Sequence, residues 1–153
     1  MSNIEEKVVE LTGLRNRLRQ ESITQEVLEI TTGAIRRYDA NHLCLGPRFH
    51  GRDKSSPGVW RAAGRHLDVI AINYYNAWGP EPEVLDQWLD WSSKPCMITE
   101  WYVKGADAGY DNWSGAGWIV PTQRDRGHFY QHYVLGLIES GSCVGWHWFK
   151  YMD

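Results

Sequence analysis

The chain has 153 residues, which is enough for one domain with a hydrophobic core. Its 16 Lys and Arg against 19 Asp and Glu give a formal net charge of −3, so no electrostatic feature favours nucleic acid as a partner. No apolar run approaches the roughly 18 residues that a membrane-spanning helix needs, and the polar N-terminus lacks the apolar stretch of a signal peptide, which leaves the localisation unknown.

The first part of the chain predicts two helices. Residues 3–20 are charged and amphipathic, with Gly13 as a weak point. A capping box at residues 22–25 predicts the start of a second helix, which should end near residues 39–41. We expect an N-terminal helical segment, residues 1–22, and a main domain, residues 23–153.

From residue 42 onwards, short apolar strands alternate with helices. Strands separated by helices favour parallel pairing through right-handed crossovers, which places the chain in the α/β class. An open, doubly wound sheet is one alternative, but these strands turn polar and aromatic at their C-terminal ends, as strands do at the mouth of a TIM (β/α)8 barrel. We therefore expect four parallel βα units that form half of such a barrel, preceded by the N-terminal helices. The predicted strands are residues 42–49, 68–75, 96–102 and 143–151, the predicted helices are residues 58–66, 82–91 and 121–140, and residues 103–120 form a predicted long loop.

The third predicted strand ends in a carboxylate, Glu100, directly before Trp101 and Tyr102. A charge at the end of a buried strand is costly unless it has a partner or a function. If Glu100 points into the barrel, strict alternation places other side chains on the same lining. These are Cys96 and Ile98, Asn73 and Tyr75, Gly46 and Arg48, and Trp146 and Trp148.

The aromatic content is high for a chain of this length, with nine Trp and eight Tyr. Many of these residues fall at predicted strand ends or in the loops that follow. Indole and phenol rings in a cleft present flat apolar faces with a polar rim, which suits the C–H faces and hydroxyls of sugars. Packing in the core is the alternative role, and we expect it for part of the set.

Metal chemistry has little support in the sequence. His128 and His132 are spaced i, i+4 on a predicted helix, but the intervening residues lack the Glu of the H-E-x-x-H motif and no third ligand is evident. The three cysteines are far apart and lie in predicted strands, where small buried side chains are expected. We expect no metal and no cofactor.

Four motifs in order carry a resemblance to a known family. They are residues 38–49 (YDANHLCLGPRF), 72–75 (INYY), 98–101 (ITEW) and 144–151 (VGWHWFKY). Together they resemble the C-terminal half of the barrel of clan-A glycoside hydrolases, most closely the agarase-like and β-galactosidase-like members. The resemblance covers roughly residues 23–153, and the expected boundary between the N-terminal segment and the main domain follows this extent.

The resemblance implies a function and a site. The four strands would be the fifth to eighth of the barrel, and Glu100 would be the catalytic nucleophile of a retaining enzyme that acts on a β-linked, galactose-containing polysaccharide. Arg48 and Tyr75 are suited to holding the Glu100 carboxylate in its charged form. The implied substrate-binding residues are Arg48, Asn73, Tyr75, Trp146, His147 and Trp148.

One part of the family pattern is absent. The acid/base Glu of the family usually follows an Asn at the end of the fourth strand, and no Asn-Glu pair occurs in this sequence. A retaining glycosidase needs two carboxyl groups, so we expect an incomplete active site and little or no hydrolysis by this chain alone.

Two partner arrangements remain open at this point: a missing N-terminal half-barrel, or a homodimer of half-barrels. The alternative function is a non-catalytic carbohydrate-binding or interaction module that takes an oligo- or polysaccharide as its ligand. The family's full-length relatives are often secreted or periplasmic, which the sequence of this chain does not test.

Overall fold

The computed structural model describes residues 3–109 and 115–150 as a mixed α/β arrangement with parallel strands. A short 3-10 helix covers Gly51–Ser55. Among the described residues, no helix is long and apolar enough to cross a membrane. The helices are α1 (Asn3–Tyr38), α2 (Pro57–His66), α3 (Pro82–Ser92) and α4 (Gln123–Glu139), and the strands are β1 (Ile70–Asn73), β2 (Cys96–Glu100), β3 (Val103–Gly105), β4 (Trp118–Val120) and β5 (Cys143–Trp146).

The first helix differs from its prediction. α1 is one continuous helix of 36 residues, so both the predicted start at residue 22 and the weak point at Gly13 are wrong. A glycine in a helix interior costs only about 1 kcal/mol, and packing of α1 against α2 outweighs it. Leu28 and Thr32 are buried, and Arg61 of α2 pairs with Glu21 at 3.3 Å. The predicted division at residue 22 falls inside α1, and the division itself stays a prediction.

The main sheet has three parallel strands in the order β1, β2, β5. α3 connects β1 to β2, and α4 leads into β5, as predicted for parallel strands joined by helices. The predicted long loop holds a second parallel pair, in which β3 runs beside β4 with Val103 opposite Trp118. Residues 110–114 of that loop, and residue 151 of the last predicted strand, lie outside the described residues.

The predicted strand at residues 42–49 is wrong, apart from its last residue. Phe49 forms an isolated parallel bridge with Ile72 of β1, through hydrogen bonds of 2.9 and 2.8 Å. Before it, Gly46 has a φ of +63° and packs against Leu67, and Pro47 follows. A left-handed residue and a proline interrupt an extended strand, so the segment bends and Gly46 does not alternate with Arg48 as predicted.

A register shift divides β2. Ile72 of β1 pairs with Ile98, but the next residue, Asn73, pairs with Glu100, so one step on β1 corresponds to two steps on β2. Paired residues share a face of the sheet and neighbours alternate, so Ile98 and Glu100 lie on opposite faces. The predicted alternation, which placed Ile98 and Cys96 beside Glu100, is therefore wrong.

The hydrophobic core lies between the main sheet and the helices. Ile70, Ile72 and Ile98 are fully buried there, and the Trp60 and Trp88 rings stack with their centroids 4.8 Å apart. Fully burying an aliphatic side chain contributes about 1.5–3 kcal/mol, so this layer supplies much of the driving force for folding. The helices contribute Val59, Trp60 and Ala63 from α2, Leu85 and Trp88 from α3, and Phe129, Tyr133 and Leu137 from α4.

The contact between α2 and α3 predicts the effect of a small substitution. A Cβ at Gly64 would lie 2.1 Å from the backbone oxygen of Ser92. We expect Gly64→Ala to lower the free energy of unfolding by about 1–3 kcal/mol, measured by urea titration, because two backbones must separate. Gly33→Ala in α1 is the matched control, since a Cβ there meets nothing within 4 Å. Equal stabilities of the two variants would contradict the close approach.

Asp68 ties the bent segment to the start of β1 and predicts an acid dependence. Its carboxylate accepts the backbone N–H of Cys44 at 2.8 Å and pairs with Arg36 at 3.3 Å, and the first of these contacts is the largest cause that lowers the pKa of Asp68. Its contribution to stability is therefore complete at neutral pH and is lost as the pH falls through the lowered pKa. We expect Asp68→Asn to flatten the decline in unfolding free energy below about pH 4, whereas Asp90→Asn on the exposed face of α3 should leave it unchanged.

Candidate active site

The Glu100 side chain lies at the C-terminal end of β2 with both carboxylate oxygens engaged. Arg48 Nη1 donates to Oε1 at 2.8 Å, and the Tyr75 hydroxyl donates to Oε2 at 3.1 Å. Only 15% of the Glu100 side chain is exposed. A cation and a phenol on separate oxygens fix the rotation of the carboxylate and offset the cost of its burial.

The backbone of three chain segments positions these groups. The Phe49 bridge to β1 holds the adjacent Arg48 at the sheet end. The backbone N–H of Tyr74 donates to the Glu100 carbonyl at 2.8 Å, which holds the residue before Tyr75 against the end of β2. The ends of parallel segments meet at one edge of the sheet, so residues far apart in sequence converge there.

Asn73 belongs to the same group. It pairs with Glu100 across the register shift, and its side-chain oxygen accepts a hydrogen bond of 2.9 Å from the Thr99 hydroxyl. This bond holds the orientation of the Asn73 amide at the end of β1. The structure thus brings together four residues predicted for the site: Arg48, Asn73, Tyr75 and Glu100.

Tyr75 acts as a fixed donor. Burial raises the pKa of its phenol, and the hydrogen bond to the Glu100 carboxylate raises that pKa further. The phenol therefore stays protonated throughout the pH range in which most enzymes work. A protonated phenol donates to the carboxylate oxygen and cannot compete with it as a base.

Aromatic rings extend from Tyr75 across this end of the sheet. The Tyr75 and Tyr102 ring centroids are 5.8 Å apart, and Tyr102 lies 6.3 Å from Trp148, both edge to face. The Arg126 guanidinium lies 5.2 Å from the centroid of the Trp148 ring. Trp148 therefore connects to Glu100 through two tyrosines. Tyr102 was absent from the predicted site, although its place two residues after Glu100 was a usable signal.

Trp146 and His147 lie outside the group that the structure brings together around Glu100. Trp146 pairs with Ile98 and donates its indole N–H to the Tyr130 hydroxyl of α4 at 3.3 Å, so it lies on the helix-facing side of the sheet, opposite to Glu100. The predicted alternation that grouped it with Glu100 is wrong, for the same register reason. His147 is exposed, and its backbone N–H donates to the Ile98 carbonyl at 2.8 Å.

No metal centre forms in the part of the chain that the structure describes. No three His, Cys, Asp or Glu side chains among residues 3–109 and 115–150 gather closely enough to hold an ion. His128 and His132 are both exposed on α4.

Comparison with known proteins supports a resemblance to glycoside hydrolases. No family model and no curated protein matches the chain. Among solved structures, BpGH50 has a TM-score of 0.85 and 40% identity, over 89% of this chain and 30% of that chain. An exo-beta-agarase has a TM-score of 0.78 and 28% identity, over 90% of this chain and 18% of that chain. The agarase AgWH50C has a TM-score of 0.75 and 28% identity, over 88% of this chain and 20% of that chain.

The chain thus spans less than a third of the length of these structures. It has the fold of one segment of GH50 glycoside hydrolases, and the resemblance to agarase-like proteins is confirmed at that level. The complete barrel, the retaining mechanism and the residue roles stay predictions.

The ion pair at Glu100 predicts a measurable coupling energy. A double-mutant cycle of Arg48→Gln and Glu100→Gln, followed by urea unfolding, should give a coupling of about 1 kcal/mol. The expected value is modest because the Arg48 side chain is half exposed. A cycle of Arg48→Gln with Glu29→Gln, an exposed carboxylate on α1, should be additive. Additivity in both cycles would argue against the contact.

Proposed function

We propose that this chain is part of a retaining glycoside hydrolase that cleaves a β-linked, galactose-containing polysaccharide, with Glu100 as the nucleophile. The observation that carries the proposal is the strand-end carboxylate of Glu100, held on both oxygens by Arg48 and Tyr75. The likeness to a segment of BpGH50 and of two agarases supports the substrate class. Retaining glycosidases use a pair of carboxyl groups that flank the glycosidic bond to be cleaved.

In the proposed reaction, one Glu100 oxygen attacks the anomeric carbon while the glycosidic C–O bond breaks. The product is a covalent glycosyl ester, which water then hydrolyses with overall retention of configuration. Arg48 and Tyr75 orient the carboxylate for this attack, and they stabilise its charge before the bond forms. Asn73, His147 and Trp148 are the further residues that we assign to substrate binding, with Trp148 as the floor of the sugar site, whereas Trp146 faces the helices and is not assigned to it.

The proton donor is the missing component. A retaining enzyme holds its second carboxyl group about 5–5.5 Å from the nucleophile, to protonate the departing oxygen. No Asn-Glu pair occurs in the sequence, so we assign this role to a residue outside the chain. The fifth to eighth strands of a (β/α)8 barrel would correspond to Phe49, β1, β2 and β5. A further half-barrel would complete the site.

The missing donor predicts how the chain should react. The purified chain should hydrolyse agarose oligosaccharides very slowly or not at all. A 2-fluoro-β-galactoside that carries dinitrophenolate needs no proton to lose its leaving group, so it should still esterify a nucleophile. We expect one glycosyl adduct on Glu100 by peptide mass spectrometry, and one equivalent of released dinitrophenolate.

The controls separate the nucleophile from other carboxylates. Glu100→Gln should show no adduct, whereas Glu139→Gln, at the exposed end of α4, should be labelled as the unaltered chain is. Label elsewhere, or none on a chain that is folded by near-UV circular dichroism, would overturn the role of Glu100. Rapid hydrolysis of agarose oligosaccharides that depends on Glu100 would support the nucleophile and refute the missing donor.

The alternative function, a non-catalytic carbohydrate-binding module, predicts a different pattern. It would bind oligosaccharides with a change in Trp fluorescence, form no adduct, and be unaffected by Glu100→Gln. The engagement of both Glu100 oxygens at a strand end favours the hydrolase.

A further inference from the structure

A pair of tryptophans, of which Trp78 is exposed and Trp118 is partly buried, lies beyond the residues assigned so far. Trp78 occupies the loop between β1 and α3, and 54% of its surface is exposed. Its ring centroid is 4.5 Å from that of Trp118 in β4 and 5.7 Å from that of Phe129 in α4. These two rings support the indole on part of its surface while the rest faces solvent, an arrangement that provides an apolar platform.

The loop that carries Trp78 is held in place. Asn76 has a φ of +64°, a left-handed conformation that Asn tolerates better than most residues, and it turns the chain directly after Tyr75. On the other side of Trp78, Pro80 packs so closely on α4 that a Cβ at Gly136 would lie 2.6 Å from the proline ring. The platform is thus fixed before any ligand binds, which reduces the entropy cost of binding.

Packed rings connect the platform to the candidate active site. Trp78 follows Tyr75, the donor to Glu100, by three residues, so both lie beyond the C-terminal end of β1. Ring contacts also join them through successive centroid distances of 5.8, 6.3, 6.4 and 5.7 Å. In order, these rings are Tyr75, Tyr102, Trp148, Phe129 and Trp78.

We propose that Trp78, supported by Trp118, is a stacking subsite for a second sugar ring of the polysaccharide, away from the ring that Glu100 attacks. The ligand class is a neutral, β-linked galactose-containing oligosaccharide, whose rings present apolar C–H faces to an indole. This inference rests on the proposed function, because it takes the position of the first sugar from Glu100. Trp78 contributes affinity for long ligands and has no part in bond cleavage.

The experiment compares long and short ligands on the full chain. Isothermal titration with an agarose-derived hexasaccharide should show affinity lowered roughly five- to tenfold by Trp78→Ala, because one stacked ring is lost. Trp78→Phe should recover most of that loss. Tyr38→Ala is the matched control, an aromatic residue that is 94% exposed at the end of α1, and it should bind as the unaltered chain does.

A monosaccharide readout distinguishes the two proposals. The fluoro-galactoside label on Glu100 reports only the first sugar position, so Trp78→Ala should be labelled at an unchanged rate. Hexasaccharide binding that depends on Trp78 without any Glu100 label would refute the nucleophile and leave the stacking subsite supported.

Three outcomes would overturn the subsite. The first is equal hexasaccharide affinity in Trp78→Ala and Tyr38→Ala, and the second is no measurable hexasaccharide binding by the unaltered chain. The third is a loss of affinity in Trp78→Ala that Trp78→Phe does not recover although both variants unfold at the temperature of the unaltered chain.

Discussion

The contact of the Glu100 carboxylate with Arg48 and Tyr75 is the constraint around which this end of the molecule is organised. It joins three segments that are distant in sequence: the residues that precede the Phe49 bridge, the end of β1 and the end of β2. A largely buried carboxylate is costly unless charge and hydrogen bonds compensate it, so the site and the local fold depend on the same interactions. Removing Arg48 or Tyr75 should therefore disturb both the site and the local fold.

Much of the architecture follows from local sequence signals. Pro57 and Pro82 open α2 and α3, and Thr122 with Asp125 forms a capping box before α4, so these helices lie close to their predicted positions. The grouping of Arg48, Asn73 and Tyr75 with Glu100 was also predictable, because parallel strand ends converge.

Other features depend on tertiary contacts that a single sequence does not reveal. The side of the sheet on which Trp146 lies is set by the register between strands, and one extra residue in β2 reverses the expected alternation. The continuity of α1 depends on its packing against α2. The β3–β4 pair arises where a Gly- and Asp-rich stretch predicted only a loop. In each case long-range pairing outweighs the local signal.

The register shift in β2 has a consequence for how this region tolerates change. Thr99 is the extra residue that keeps Glu100 opposite Asn73. Regular pairing of the same residues without the bulge would instead turn Glu100 to the face of Ile98, towards the helices. The face on which Glu100 lies is therefore set by the bulge and not by the identity of the residue at position 99. Homologous chains that present the carboxylate on this face should either keep the bulge or lack the extra residue altogether, because regular alternation after Ile98 reaches the same face.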